Sequence, residues 1–89
     1  MPSRNGQVFI SADVLYDRRV SHRAFRLFSL LVILADEQGN TPLDIAGWAT
    51  RLNHRPETIS RYLDELVSFG HVTRNGDSVR VPVFEGNAL

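Results

Sequence analysis

Apolar residues recur at helical spacing in three segments, and each segment is bounded by residues that begin or end helices. In the first, Ser21 is a suitable N-cap. The apolar stripe that follows comprises Ala24, Leu27, Phe28, Leu31, Leu34 and Ala35. This pattern predicts a helix over roughly residues 22–38, ending at Gly39-Asn40. Leu30 and Ile33 lie away from the stripe, so we expect the N-terminal segment or a partner to cover them.

The second and third helical segments lie close together in the chain. Asp44 is a plausible N-cap, and the apolar stripe after it comprises Ile45, Ala46, Trp48, Ala49 and Leu52. The stripe stops at Asn53, which predicts a short helix of about two turns. Pro56 suits the first position of the next helix, because its fixed φ fits there and its missing N–H costs nothing. That helix carries the stripe Ile59, Tyr62, Leu63, Leu66 and Val67, and Gly70 ends it.

After Gly70 the apolar period changes from helical to alternating. Val72, Val79, Val81 and Val83 alternate with polar residues, and Asn75-Gly76 lies between the two runs. Asn-Gly between alternating apolar residues predicts a β-hairpin. Pro82 cannot donate to a ladder of hydrogen bonds, so we expect the second strand to lie at an edge.

The N-terminal residues carry weaker signals. Val8-Phe9-Ile10 is typical of a short extended segment, and Val14-Leu15-Tyr16 of an apolar turn. We therefore divide the chain into an N-terminal arm, residues 1–20, and one domain, residues 21–89. The predicted fold is mainly α with a small β-hairpin: a three-helix bundle followed by the hairpin.

Composition narrows the class of protein. The chain has 89 residues, 43% apolar and 22% charged, which fits one globular domain. It contains no cysteine, and its three histidines are scattered, so we expect no disulfide, no metal site and no cofactor. The N-terminus is polar, and the longest nearly apolar stretch, residues 27–35, is far too short to span a bilayer. We expect a cytoplasmic protein without a membrane partner.

The charges are balanced overall but unevenly distributed. Ten arginines, with no lysine, offset ten acidic residues, so strong non-specific binding of a polyanion is not expected. Residues 36–44 carry three acids and no base, whereas residues 51–61 carry three arginines and one acid. Such alternation is typical either of a protein with one basic and one acidic face or of an ordinary mixed surface.

The segment Ile45–Leu63 resembles a helix-turn-helix motif, and residues 21–84 resemble the winged helix-turn-helix domains of bacterial, plasmid and phage regulators. In that family, a small residue in the first helix is followed by a turn residue and then by an aliphatic residue. Here these are Ala49, Asn53 and Ile59. Asn53 stands where glycine is commoner, but asparagine also tolerates the left-handed conformation.

The resemblance implies sequence-specific binding of double-stranded DNA, with residues 56–69 as the recognition helix and residues 71–84 as the wing. It implies a transcriptional regulator, or a replication or excision factor of a plasmid or phage. The residues expected to contact DNA are Arg51, Arg55, Thr58, Ser60, Arg61, Arg74 and Arg80. Arg61 is the best candidate for a base edge or a phosphate, and Arg55 is a poor N-cap that would leave N–H groups free for a phosphate.

Alternatives remain open at several of these positions. Arg61 could instead pair with Glu57 or Glu65, and Asp77 could neutralise Arg74. His54 and His71 are expected to be turn and surface residues rather than ligands.

At the level of the whole chain, two functions remain open. The zero net charge and the acids near the reading face leave a protein-interaction module as the alternative function. We expect no enzyme, because no phosphate loop, nucleophile elbow, metal spacing or pair of buried acids is present. A weak homodimer through Leu30, Ile33 or the N-terminal arm is also predicted.

Overall fold

A computed structural model describes residues 12–82 of the chain. Within that part, the elements in chain order are α1 (Ala12–Leu15), α2 (His22–Leu34), β1 (Asn40–Pro42), α3 (Ile45–Leu52), α4 (Pro56–Ser68), β2 (Thr73–Asn75) and β3 (Ser78–Arg80). The prediction of a mainly helical fold with a β-hairpin is therefore confirmed. The predicted extended segment Val8-Phe9-Ile10 lies outside the described residues.

The segment predicted as an apolar turn instead contains the short helix α1. Its Val14 is 1% exposed and belongs to the hydrophobic core, whereas Leu15 and Tyr16 are largely exposed. The second half of the N-terminal arm therefore packs against the domain.

Helix α2 begins as predicted but ends four residues early. The Ser21 side chain accepts a hydrogen bond from the N–H of Ala24, 3.1 Å away. The helix ends at Leu34, because Asp36 Oδ1 accepts the N–H groups of both Gln38 and Asn40, each at 2.9 Å. This local turn offers the backbone an alternative to another helical turn, and it directs the chain into a strand.

That strand, β1, was not predicted, and it changes the topology of the sheet. The strand order is β1-β3-β2, with both pairs antiparallel, and Thr41 lies opposite Val79. The second hairpin strand is therefore central, and the prediction that Pro82 places it at an edge was wrong. Pro82 lies two residues beyond the end of β3 at Arg80, where no ladder bond is required of it.

The hairpin turn lies one residue later than Asn75-Gly76. Asn75 pairs with Ser78, so Gly76 and Asp77 form the two-residue loop. Gly76 has φ +57°, and a positive φ at the first loop position only is the pattern of a type II′ turn.

Helices α3 and α4 form as predicted, separated by three residues. The Asp44 carboxylate accepts the N–H of Gly47, and Asn53 ends α3 in the left-handed conformation, with φ 60° and ψ 49°. That conformation lets the next N–H, of His54, donate to the Ala49 carbonyl at 2.9 Å. Pro56 is the first residue of α4.

The core lies where α2, α3, α4 and the inner face of the sheet meet. Its largest fully buried side chains are Trp48, Phe28, Leu27, Leu31, Ile59, Leu63, Leu66, Val14 and Val79. Leu30 is half-buried against this core, whereas Ile33 is 59% exposed. The homodimer through these two residues stays a prediction. Among residues 12–82, no helix has the length and apolar character needed to cross a bilayer.

The turn conformation can be tested with two substitutions at one position. Asn53→Gly should change the free energy of unfolding by less than about 0.5 kcal/mol, because glycine adopts a positive φ without steric cost but gains freedom when unfolded. Asn53→Ala should destabilise by about 1 kcal/mol, because alanine lacks the short polar side chain that lets asparagine tolerate the left-handed conformation. Urea denaturation measures both, and equal losses for the two variants would contradict the left-handed turn.

The packing of α4 can be tested at Ile59, which is fully buried. Ile59→Arg should destabilise the fold by more than about 4 kcal/mol and abolish the cooperative thermal transition, because it buries an unpaired charge. Val67→Arg is the matched control on the same helix, since Val67 is 37% exposed, and it should keep the transition. An unchanged melt for Ile59→Arg would contradict this packing.

Candidate nucleic-acid interface

The exposed side of α4 is the surface on which most predicted contacts lie. Ile59, Tyr62, Leu63 and Leu66 are buried, so the opposite side faces solvent. Glu57, Arg61 and Asp64 are exposed there, and Thr58 and Ser60 flank them, half-buried. Thr58, Ser60 and Arg61 therefore lie on one continuous helix surface.

Arg61 is held by an aromatic ring rather than by a carboxylate. Its guanidinium carbon lies 5.7 Å from the centre of the Tyr62 ring. Among the described residues, Arg61 forms no ion pair within 4.0 Å, and the Glu65 carboxylate instead accepts the Ser21 N–H at 3.4 Å. The guanidinium donors of Arg61 are therefore available to a ligand.

Two further predicted arginines border the turn between α3 and α4. Arg51 lies in the last turn of α3, where a cation also favours the helix dipole, and Arg55 is the N-cap of α4; both are exposed. Arg55 makes no side-chain cap hydrogen bond, as predicted. Its carbonyl, however, accepts the N–H groups of Thr58 and Ile59. The poor cap predicts several free N–H groups in the first turn of α4. Since Thr58 and Ile59 donate to Arg55 and Pro56 has no N–H, the N–H of Glu57 remains for a phosphate.

The two hairpin arginines lie on opposite faces of the sheet. Arg74 pairs with Val79, whose side chain is buried, so Arg74 projects from the helix-facing side of the edge strand β2. Arg80 pairs with Thr73 on the outer face, and its Nε donates to the Gln38 carbonyl at 3.2 Å. A ligand that lies against one face of the sheet can therefore contact Arg74 or Arg80, but not both. Among the described residues, Asp77 makes no ion pair with Arg74.

Sequence reasoning missed a cluster of three charged or titratable side chains, which we name the Asp17 cluster: Asp17, Arg19 and His71. Asp17 Oδ2 lies 2.7 Å from both Arg19 Nη2 and His71 Nε2. Arg19 also stacks over the Phe69 ring, 4.2 Å from its centre. The prediction of a surface His71 was wrong, since its side chain is 10% exposed. His54 was correctly predicted in a turn, where its ring meets Tyr62 edge-on.

The electrostatics of the Asp17 cluster favour its charged form. Hydrogen bonds from Arg19, and next from His71, hold the pKa of Asp17 well below its ordinary value of 3.8. The same carboxylate raises the pKa of Arg19. The cluster joins residues 54 positions apart, so it fastens the segment before α2 to the start of the hairpin.

No three histidine, aspartate or glutamate side chains in residues 13–82 are grouped as a metal ion would require. The Asp17 carboxylate is hydrogen-bonded to both Arg19 and His71. Its geometry is that of a structural contact.

The Asp17 cluster makes a prediction about acid stability. A lowered folded pKa means that the carboxylate stabilises the fold above about pH 4 and that this stabilisation is lost as the pH falls below that value. Asp17→Asn should therefore lower the melting temperature at about pH 7, and its difference from wild type should shrink below about pH 4. Asp64→Asn, at an exposed position, is the control and should change little. A constant difference across this pH range would contradict the assignment.

Thr58, Ser60 and Arg61 lie on the exposed side of α4, and Arg51 and Arg55 border the turn that precedes it. Arg74 projects from the helix-facing side of the sheet and Arg80 from the far face. No protein-family model matches the chain, and no match is found among curated proteins or among solved structures.

Proposed function

We propose that this protein is a winged helix-turn-helix domain that binds double-stranded DNA in a sequence-specific manner. In this proposal α4 is the recognition helix and the β2–β3 hairpin is the wing. The biological role would be that of a transcriptional regulator, or of a replication or excision factor of a plasmid or phage. It binds DNA and catalyses no reaction.

The observation that carries the proposal is the arrangement of α3, the turn and α4. Asn53 in the left-handed conformation sets the second helix across the first, and the buried face of α4 turns its polar face outward. The major groove admits one α-helix, and an arginine on it can donate two parallel hydrogen bonds to guanine. Arg61 occupies the centre of that face without a competing ion pair among the described residues.

The flanking arginines support contacts to phosphates. Arg51 and Arg55 lie at the two ends of the α3–α4 turn, and Arg74 lies on the helix-facing side of the hairpin. Phosphate contacts fix the orientation of the protein on the duplex without reading sequence. Arg80 is the weaker wing candidate, because it projects from the other face and donates to Gln38.

One observation favours a second function, a module that binds another protein. Glu57 and Asp64 are exposed on the same side of α4 as Arg61, and the net charge of the chain is zero. These carboxylates would repel a phosphate and could pair with a basic partner. DNA binding remains the stronger proposal, because in residues 51–64, which span the end of α3, the turn and the first part of α4, three exposed arginines outnumber the two exposed acids, Glu57 and Asp64.

Replacing Arg61 should reduce sequence preference as well as DNA affinity, whereas replacing Arg74 should reduce affinity alone. The wild-type chain is first used to select a cognate duplex from a randomised pool. Arg61→Ala should weaken binding to this duplex by about 1–3 kcal/mol and relax the preference at one base position. Arg74→Ala should weaken cognate and scrambled duplexes alike, and it should lower the slope of log K against log salt by about one unit. Binding titrations at two salt concentrations measure both effects.

Thermal melts provide the folding control, since both side chains are exposed and their removal should change stability by less than about 0.5 kcal/mol. If wild type and both variants bind all duplexes equally, α4 does not read sequence. If wild type binds no duplex, the protein-interaction function replaces the proposal.

A further inference from the structure

A basic patch on α2 belongs to none of the contacts described so far. It consists of His22, Arg23 and Arg26, which are exposed in the first two turns of α2; we name it the α2 basic strip. The first turn of α2 contains no acidic residue, and its last turn contains no basic one. Cations stabilise the C-terminal end of a helix and acids its N-terminal end, so this distribution opposes the helix dipole. The strip therefore gains no stabilisation from the helix dipole.

The α2 basic strip lies beside the proposed recognition helix. The backbone N–H of Ser21 donates to Glu65 of α4 at 3.4 Å. A surface pocket between the two helices is lined by Ser21, His22, Arg23, Tyr62 and Glu65. Because the Arg61 guanidinium lies over the same Tyr62, positive groups extend from the outer face of α4 across Tyr62 to the first turn of α2.

We propose that the α2 basic strip binds the phosphate backbone of the duplex next to the bases that α4 reads, an inference that rests on the proposed function. Arg23 borders the pocket directly, and Arg26 lies one turn further along α2. The strip and the N-terminal end of α2 present positive charge to the same region, which suits an anion. The acid in the pocket, Glu65, already accepts a hydrogen bond from Ser21.

A phosphate backbone suits this strip better than an acidic protein does. Arginine and histidine side chains line the strip, and the aromatic residue of the pocket, Tyr62, is 8% exposed. A protein interface normally has an apolar or aromatic core with a polar rim. The pocket beside the strip offers no exposed aromatic residue, and Ile33, the exposed apolar residue on the Arg26 side of α2, lies about two turns further along the helix. A phosphate backbone, in contrast, requires only cations at intervals along its path. The arginines of the strip provide such cations beside the exposed side of α4.

The test measures binding of the full chain to a selected duplex and to a scrambled duplex at two salt concentrations. Arg23→Gln with Arg26→Gln should weaken binding to both duplexes by on the order of tenfold and lower the salt slope by about two units, one for each lost phosphate contact. The ratio between the two duplexes should stay unchanged. Arg23→Lys with Arg26→Lys should restore most of the affinity, since the charge is kept.

Gln38→Glu is the control for a change in net charge, one unit in the same direction as the two units that the double glutamine variant removes. Gln38 is exposed and lies four residues beyond the C-terminal end of α2, and the helix continues for eight residues, about 12 Å, beyond Arg26. It should bind both duplexes with wild-type affinity, within about twofold. Thermal melts check that every variant folds.

The possible outcomes separate this inference from the proposed function. If the double glutamine variant keeps wild-type affinity and salt slope while Arg61→Ala loses sequence preference, the strip does not bind phosphate but the proposed function stands. If the double variant loses affinity only for the selected duplex, the strip reads bases and the inference is wrong. If wild type binds no duplex, both proposals fall.

Discussion

The fold depends most on the left-handed turn at Asn53, because that residue fixes how α4 crosses α3. With φ 60° and ψ 49°, Asn53 ends α3 after two turns and lets His54 donate to Ala49. The chain then reaches Pro56 within three residues, and Ile59 is carried into the core beside Trp48. Burial of one face of α4 is what exposes the other. The candidate interface is thus a consequence of a single backbone conformation and the packing that it permits.

The sequence correctly predicted the features that depend on residues close together in the chain, such as helix caps and turns. Ser21 and Asp44 cap their helices through their own side chains, and Asn53 and Pro56 adopt the conformations that their chemistry favours. Each of these effects involves residues within four positions of one another. The positions of α3 and α4 were therefore predicted correctly, and so were the residues of α4 that face solvent.

Contacts between distant residues account for what the sequence did not predict. Strand β1 is three residues long and has no alternation of its own; it forms because Thr41 meets Val79 across the sheet. The early end of α2 depends on a carboxylate turn at Asp36, which competes with a helix that the apolar pattern would extend. Asp17 and His71 meet across 54 positions, and no spacing in the chain indicates such a pair. The two faces of the hairpin, which separate Arg74 from Arg80, also required the register of the strands.

The separation of charge in space makes zero net charge compatible with binding a polyanion. Asp36 and Asp77 line one surface depression beside β1, beyond the C-terminal end of α2, whereas the basic strip occupies the opposite end of that helix. Charges interact over only about 8 Å at physiological ionic strength, so the acidic end contributes little at the basic strip, since the eight residues from Arg26 to the end of α2 span about 12 Å. A phosphate near Arg23 therefore experiences the local arginines rather than the sum over the chain, whereas one near Arg61 also meets Glu57 and Asp64. Under the proposed function, balanced total charge limits non-specific attraction at long range, and the discrimination between duplexes would depend on the short-range contacts of α4.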